Sequence, residues 1–372
     1  MLSYEYPPLG GGGAPICEGI CEAMVAAGHR VDVVTSGMTD LPACEERRGV
    51  AVHRVPCLRR HRHYTTTGEL LTTLLPMYRR AAALQRAGAY DLIHCHFVVP
   101  SGVPAWWLAR RAGLPYVVTC HGSDVPGYNP DRFAWEHRIL APLWTRVVRE
   151  ASALTSPSRY LAELIRRQVE TAVEIIPNGF ELPAFPDCVR HDRILVATRM
   201  FERKGVQFLL RALARLDITA EVWIAGDGPY LPRLRGLASE LGVNVRFLGQ
   251  IPREELIRLY PTAKVFVLPS LSENFPMVLL EALAAGCAVV TTDASGCREV
   301  VGEAGITVPP EDPEALAKEL ETLIADEARI ARLGSLGRER VRRFAWSRIA
   351  GEYEALYRRC LARSVGGARP RP

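Results

Sequence analysis

Four short runs in this chain are apolar throughout rather than at alternate positions. They lie within Pro115–Cys120, Arg193–Thr198, Val265–Leu268 and the Cys-Ala-Val-Val stretch after Gly286, and a fifth, within Asp91–Phe97, is interrupted only by His94 and His96. A strand that is apolar on both faces needs cover on both, which is the condition of a parallel strand between helical layers. Helical periodicity fills the intervals, over Thr65–Ala87, Val103–Ala112 and the segment carrying Phe208, Leu209, Ala212 and Leu216. The order is therefore alternating α/β. At 372 residues the chain is too long for one ordinary core, so two domains are expected. Between Glu181 and Asp192 periodicity lapses and Pro183 and Pro186 appear, and the hinge is placed there. The expected division is 1–182, 183–345, a last helix over 346–363 and a disordered tail over 364–372. That last helix carries Ile349, Tyr353, Leu356 and Tyr357 on one face.

Several function classes drop out on composition. No run approaches the roughly 18 uncharged apolar residues of a membrane span, and no leader pattern opens the chain. The ten Cys are scattered, several within apolar runs, as free thiols of a reducing cytosol would be. His94 and His96 share a strand face, but no third metal ligand is identifiable. From Arg47 to Arg86 nine Arg stand against one Glu. No nucleic-acid motif accompanies that charge, so nucleic acid is not an expected partner. An anionic membrane surface is, which suggests a cytoplasmic protein lying peripherally on the inner face of a membrane. A plain solvated face is the alternative.

The chemistry concentrates in Pro269–Glu281, Pro-Ser-Leu-Ser-Glu-Asn-Phe-Pro-Met-Val-Leu-Leu-Glu. A buried strand runs into it, and Pro276 is expected to open a helix at its first position. Glu273 lies in the loop and Glu281 in the helix. The helix start between them offers amide N–H groups and a positive dipole end to a phosphate. Glu281 precedes a small apolar segment that Gly286 ends, an odd setting for an unpartnered carboxylate. Hydroxyl acceptors on either side of an anion site match the layout of a nucleotide sugar.

Three other strand ends carry candidates. Gly10–Gly13 forms a Gly-rich strand-to-helix turn, but lacks the dinucleotide fingerprint and the acidic residue closing the second strand. That counts against a nicotinamide oxidoreductase. Only two residues precede Ser3, so the first strand looks short at its start. His121 follows the strand 115–120 at the end where ligands gather in open α/β sheets, while Asp124 shapes the loop. Arg199 and Lys204 follow the strand 193–198 and could clamp a diphosphate.

The segment 269–281 resembles the Glu-x7-Glu signature of the retaining glycosyltransferases of family 4, or group 1, which have the GT-B fold. The resemblance runs from Tyr4 to about Tyr357. It implies two Rossmann-like domains facing across a cleft, with the final helix crossing back to the first. It implies transfer of a hexosyl group from a nucleoside diphosphate sugar to an acceptor hydroxyl of a glycan or lipid-linked glycan. Glu273 would hold the donor sugar, Glu281 the ribose and His121 the sugar from the other domain. Gly11 and Gly12 would lie under the donor, Arg199 and Lys204 on its phosphates, and Ile251 near the base. Asn274, Phe275, Pro276, Met277 and Val278 would line the donor site. Members using guanine often have an acidic residue after the Ile251 position; Pro252-Arg253 here favours uridine. No cofactor is implied, and no Asp-x-Asp triplet is present to hold a metal. The alternatives are a GT-B sugar-nucleotide epimerase and a non-catalytic sugar-nucleotide-binding protein.

Overall fold

The computed structural model describes residues 1–366, apart from the side chains of 130–134 and 365–366. The chain divides into two compact units. One runs from Met1 to Gly179 and takes in the segment from Trp346; the other is Phe180–Ala345.

The strands of the first unit are β1 (Asp32–Ser36), β2 (Cys44–Arg47), β3 (Val50–Val55), β4 (Ile93–His96), β5 (Tyr116–Thr119), β6 (Ala153–Ser156) and β7 (Glu174–Ile175). They form two ladders, β1-β3-β2 and β4-β5-β6-β7, with only the β2–β3 pair antiparallel. The start of the chain joins them. Leu2 bridges Val34 on one side and Cys95 on the other, both in parallel. Its N–H donates to the His94 carbonyl at 2.8 Å, and its own carbonyl accepts from His96 at 2.9 Å. The first strand is thus about two residues of pairing, enough to place the loop Gly10–Gly13 and the end of β4 side by side. The antiparallel hairpin β2–β3 has no counterpart in the sequence reading. The helix anticipated over Thr65–Ala87 is two, Thr67–Leu71 and Leu74–Ala87. Thr66 and Glu69 form a reciprocal cap at the first, and the Thr72 and Thr73 hydroxyls bond back to carbonyls at the break.

The helix Trp346–Gly366 belongs to this unit and packs on the helix Gly13–Ala26. It buries Ile349, Tyr353, Leu356 and Cys360, and Tyr357 Oη lies 2.7 Å from His94 Nδ1. Residues 364–366 continue this helix rather than starting a tail; 367–372 lie outside the described residues.

The second unit has β8 (His191–Ala197), β9 (Glu221–Ala225), β10 (Arg246–Gly249), β11 (Ala263–Leu268), β12 (Ala288–Thr292) and β13 (Gly305–Val308). Their order is β10-β9-β8-β11-β12-β13, all parallel. Counted along this unit the order is 3-2-1-4-5-6, so the winding reverses between β8 and β11. Ligands of such sheets bind beyond the carboxyl ends of the strands at that reversal. β8 ends into Arg199–Lys204 and β11 into Pro269–Pro276. The fold therefore brings together the two loops that the sequence reading had singled out separately. The architecture is the GT-B fold, two α/β units with the terminal helix returned to the first.

Candidate functional site

The loop after β8 turns through a short 3-10 segment, Glu202–Lys204, and is sewn to the loop after β11 by backbone. The N–H of Leu271 donates to the Arg203 carbonyl at 2.9 Å. Gly205 sits at φ +70°, and a Cβ there would lie 1.8 Å from the Pro269 carbonyl oxygen. Only glycine permits that approach. The fixed loop turns the Lys204 side chain inward. Its ammonium is buried and bonds to Glu273 Oε1, which also accepts from Ser270 Oγ at 2.9 Å. Burial pulls the Lys204 pKa below its ordinary value. Arg203 and Arg199 add to that effect, and the Glu273 carboxylate opposes it. Both described bonds to Glu273 fall on Oε1, so Oε2 is the oxygen available to a ligand hydroxyl.

Glu273 is fixed from behind as well. Its carbonyl accepts from the N–H of Gly296 at 2.9 Å. A Cβ on Gly296 would lie 1.6 Å from the carbonyl oxygen of Asn274. The helix after this loop is Met277–Ala285, with Pro276 at the cap position rather than inside the first turn, and no side chain caps it. Its first amides are thus not claimed by a capping side chain. Glu281 lies in its second turn and is buried, as its apolar surroundings suggested. The structure supplies the partners that the sequence reading missed. Oε2 accepts from Tyr260 Oη at 2.8 Å, and Oε1 pairs with Arg253 at 2.6 Å. The Arg253 side chain is 63 % exposed, so it is the partner that a ligand can displace.

The remaining donor candidates separate by what their side chains do. Asn274 is buried, and Phe275 packs edge-on against Phe344 at 5.5 Å, within the core of this unit. Phe275 therefore has only backbone to offer a ligand. Met277, Val278 and Ile251 are half-buried against the same core. Arg199 is exposed, with its guanidinium 5.6 Å from the Phe201 ring centroid.

In the first unit His121 stands beyond β5. Asp124 organises its loop, one carboxylate oxygen accepting from the N–H groups of His121 and Gly122 and the other from Val98, each at 2.9 Å. Burial raises the Asp124 pKa, against those hydrogen bonds. The His121 Nε2 lies 2.9 Å from Nδ1 of His96, a neighbour that the sequence reading treated only as a metal-ligand candidate. Burial, helped by His96, holds the His121 pKa well below the usual imidazole range. His94 and His96 stack ring on ring at 4.6 Å, and His94 is bonded to Tyr357 and Thr119. Among the described residues no group of three His, Cys, Asp or Glu is arranged to hold a metal ion.

Gly11 and Gly12 are exposed at the turn before the helix Gly13–Ala26. The Gly11 N–H is already engaged: it donates to the carboxylate of Glu5 at 3.0 Å. Glu5 is buried beneath this loop, and burial raises its pKa, while the Gly11 amide and Arg59 pull it back. Nothing in the sequence reading flagged Glu5, since a carboxylate at a strand end reads as solvated.

The basic run is less positive at the surface than its count implies. Arg54 and Arg59 are buried. Arg59 donates to the carbonyls of Tyr4, His61 and Arg62 and to Ser36 Oγ. Arg47, Arg48 and Arg62 pair with Glu18, Glu22 and Asp40, two of which lie far back in sequence on the first helix. Among the described residues no helix is long and apolar enough to cross a membrane.

Residues 11–179 match the model of the glycosyl transferase 4-like domain, and residues 191–326 that of glycosyl transferases group 1. The D-inositol 3-phosphate glycosyltransferase of Xylanimonas cellulosilytica is 30 % identical over 76 % of this chain and 75 % of its own. The chain belongs to the group 1 glycosyltransferases. An uncharacterized glycosyltransferase of Methanocaldococcus jannaschii is 29 % identical to this glycosyltransferase over 96 % of it and 97 % of the relative. Among solved structures, the sucrose-phosphate synthase of Thermosynechococcus elongatus superposes with a TM-score of 0.81 at 27 % identity, covering 97 % of this chain and 98 % of that one.

Proposed function

We propose that this glycosyltransferase moves a hexosyl group from a nucleoside diphosphate sugar to an acceptor hydroxyl with retention at the anomeric carbon. The observation that carries the reading is the buried Lys204–Glu273 pair at the winding reversal of the second sheet. A cation and an acceptor oxygen held in register can serve adjoining parts of one ligand. Loss of a diphosphate develops negative charge. The Lys204 ammonium, the Arg199 guanidinium and the amides at the start of the helix Met277–Ala285 would stabilise it, an electrostatic role that needs no metal. Glu273 Oε2 would orient the sugar. Glu281 would receive the ribose once Arg253 swings aside. His121 is read as a sugar contact. No side chain is assigned as base for the acceptor; a donor phosphate oxygen on the same face would take that proton.

Uridine is the favoured base, because Pro252-Arg253 stands where an acidic residue would mark guanine. A glycan or lipid-linked glycan is the proposed acceptor. Work at an anionic membrane would use the exposed Arg60, Arg79 and Arg86. The test is a screen of the purified chain against a panel of nucleotide sugars with and without EDTA, followed by NMR of the product anomer. An inverted product would overturn retention, loss of turnover in EDTA would overturn metal independence, and no turnover of any donor would overturn the assignment.

A further inference from the structure

Three helices of the first unit lie side by side, Leu74–Ala87, Gly102–Ala112 and Pro130–Glu150, with the middle one packed on both of the others. Of the described side chains of the longest, Trp135, Arg138, Ile139, Pro142, Arg146 and Arg149 are exposed. At 3.6 residues per turn they fall within about 100° of the helix circumference. Trp135 and Ile139, one turn apart, are 67 % and 63 % exposed, against the usual burial of such side chains. The opposite side of the helix faces the protein. His137 Nε2 lies 3.2 Å from the Ser123 carbonyl, and Trp144 Nε1 donates to the Asp124 carbonyl at 2.7 Å, so that side holds the loop carrying His121. The neighbouring helices repeat the outward pattern, with Leu75, Arg79 and Arg86 exposed on one and Trp107, Arg110 and Arg111 on the next. Tyr78 meets Trp107 edge-on at 5.9 Å, and the Arg146 guanidinium lies 5.5 Å from the Trp106 ring centroid, so the three stripes adjoin.

Charge on this surface has one sign. The helices Leu74–Ala87 and Gly102–Ala112 contain no Asp or Glu. Among the described side chains of Pro130–Glu150 the carboxylates are Glu136 and Glu150, both half-buried. Glu136 accepts from Thr67 Oγ1 at 3.4 Å, and Glu150 is shared by Trp106, Arg110 and Arg146. Seven exposed Arg thus stand on the three helices with no exposed carboxylate among the described residues there. Apolar and aromatic side chains interleaved with Arg suit the boundary of a bilayer, where rings sit at headgroup depth and guanidinium groups meet lipid phosphates. An acidic protein or a nucleic acid would pair with the Arg and leave Leu75 and Ile139 in water. We propose that this helix layer is the face by which the enzyme lies on an anionic lipid bilayer, with Leu75, Trp107, Trp135 and Ile139 entering the headgroup region and the Arg side chains on lipid phosphates. The face belongs to the membrane reading above and depends on it. It moves the contact from the arginines before residue 63, most of them enclosed or paired, to the helices. Docked this way, the helix Pro130–Glu150 stands between the lipid and the loop of His121, an arrangement suited to a lipid-linked acceptor.

The experiment is co-sedimentation of the full chain with vesicles of phosphatidylcholine, alone or mixed with phosphatidylglycerol. The wild type should bind only the anionic vesicles, and less as salt is raised. Arg111→Gln, Arg138→Gln and Arg149→Gln together should weaken binding roughly 100-fold, at about fivefold per charge. Trp135→Ser with Ile139→Ser should weaken it about tenfold. Arg233→Gln, Arg258→Gln and Arg332→Gln, the same loss of charge in the second unit, should leave it within about threefold. Every substituted side chain is exposed, so melting curves should match wild type. Brominated lipid should quench the tryptophan emission of bound wild type, and unquenched emission overturns the proposal without any variant. Wild-type affinity in both helix variants, with Arg60→Ser impaired, overturns this face and leaves the membrane reading standing. A loss in the Arg variant with none in the Trp135 and Ile139 variant marks a polyanion site instead of a bilayer, and also overturns it. A wild type that ignores anionic vesicles removes both the face and the membrane reading, while turnover of a soluble donor tests the glycosyltransferase reading separately.

Discussion

Replacing Gly296 with Ala tests whether the placement of Glu273 governs the reaction. The Gly296 backbone is ordinary for any residue, at φ −77° and ψ −7°, so the perturbation is steric alone. The added Cβ would start 1.6 Å from the Asn274 carbonyl oxygen, and real Cβ contacts stay beyond 3.0 Å. The loop must therefore yield by at least about 1.4 Å at the residue next to Glu273. The same shift strains the bond from the Gly296 N–H to the Glu273 carbonyl. A misplacement near 1 Å costs on the order of 100-fold in rate, while overpacking of this kind costs about 1–3 kcal/mol of stability. Gly296→Ala should thus remain folded yet lose about two orders of magnitude in kcat, measured as nucleoside diphosphate release from the best donor. Gly236→Ala is the control. Gly236 lies inside the helix Leu231–Glu240 with nothing near its missing Cβ. Alanine there should raise stability by about 1 kcal/mol and leave kcat alone. A Gly296→Ala protein with wild-type melting behaviour and kcat within twofold would refute the reasoning.

Three other outcomes follow from the same geometry. Glu281→Ala should weaken UDP or GDP binding by about 1.5–3 kcal/mol, read by calorimetry; if both affinities match wild type, the ribose does not meet Glu281. His94 is buried, and burial with His96 beside it holds its pKa well below the ordinary 6.5. Below about pH 6.5 the unfolded chain therefore binds a proton that the folded one refuses, and stability falls as pH drops, by up to about 1.4 kcal/mol per pH unit. The shift of the urea midpoint between pH 7 and 5.5 should shrink in His94→Gln; equal shifts in both proteins would contradict this. Arg59→Ser should cost about 2–3 kcal/mol through its lost hydrogen bonds. Arg60→Ser, with a side chain 87 % exposed, should stay within about 0.5 kcal/mol, so only the latter is a clean probe of binding to anionic liposomes.

The sequence alone determined the α/β alternation, because strands apolar on both faces and amphipathic helices have no other common way to be buried. It also located the loops after β8 and β11, since glycine, proline and paired charges mark backbone turns locally. What it could not determine was which of these side chains meet. Lys204 and Arg199 read as equal cations, yet one is buried on Glu273 and the other lies exposed beside Phe201. Glu5, Tyr260, Arg253 and His96 went unnoticed in their present roles, because each acts on a partner 6 to 28 residues away that only the fold brings within reach. Arg59 counted as surface charge until the fold enclosed it. Local patterns depend on neighbours in the chain, whereas burial and pairing depend on strand order, and the reversal between β8 and β11 is a property of the sheet as a whole.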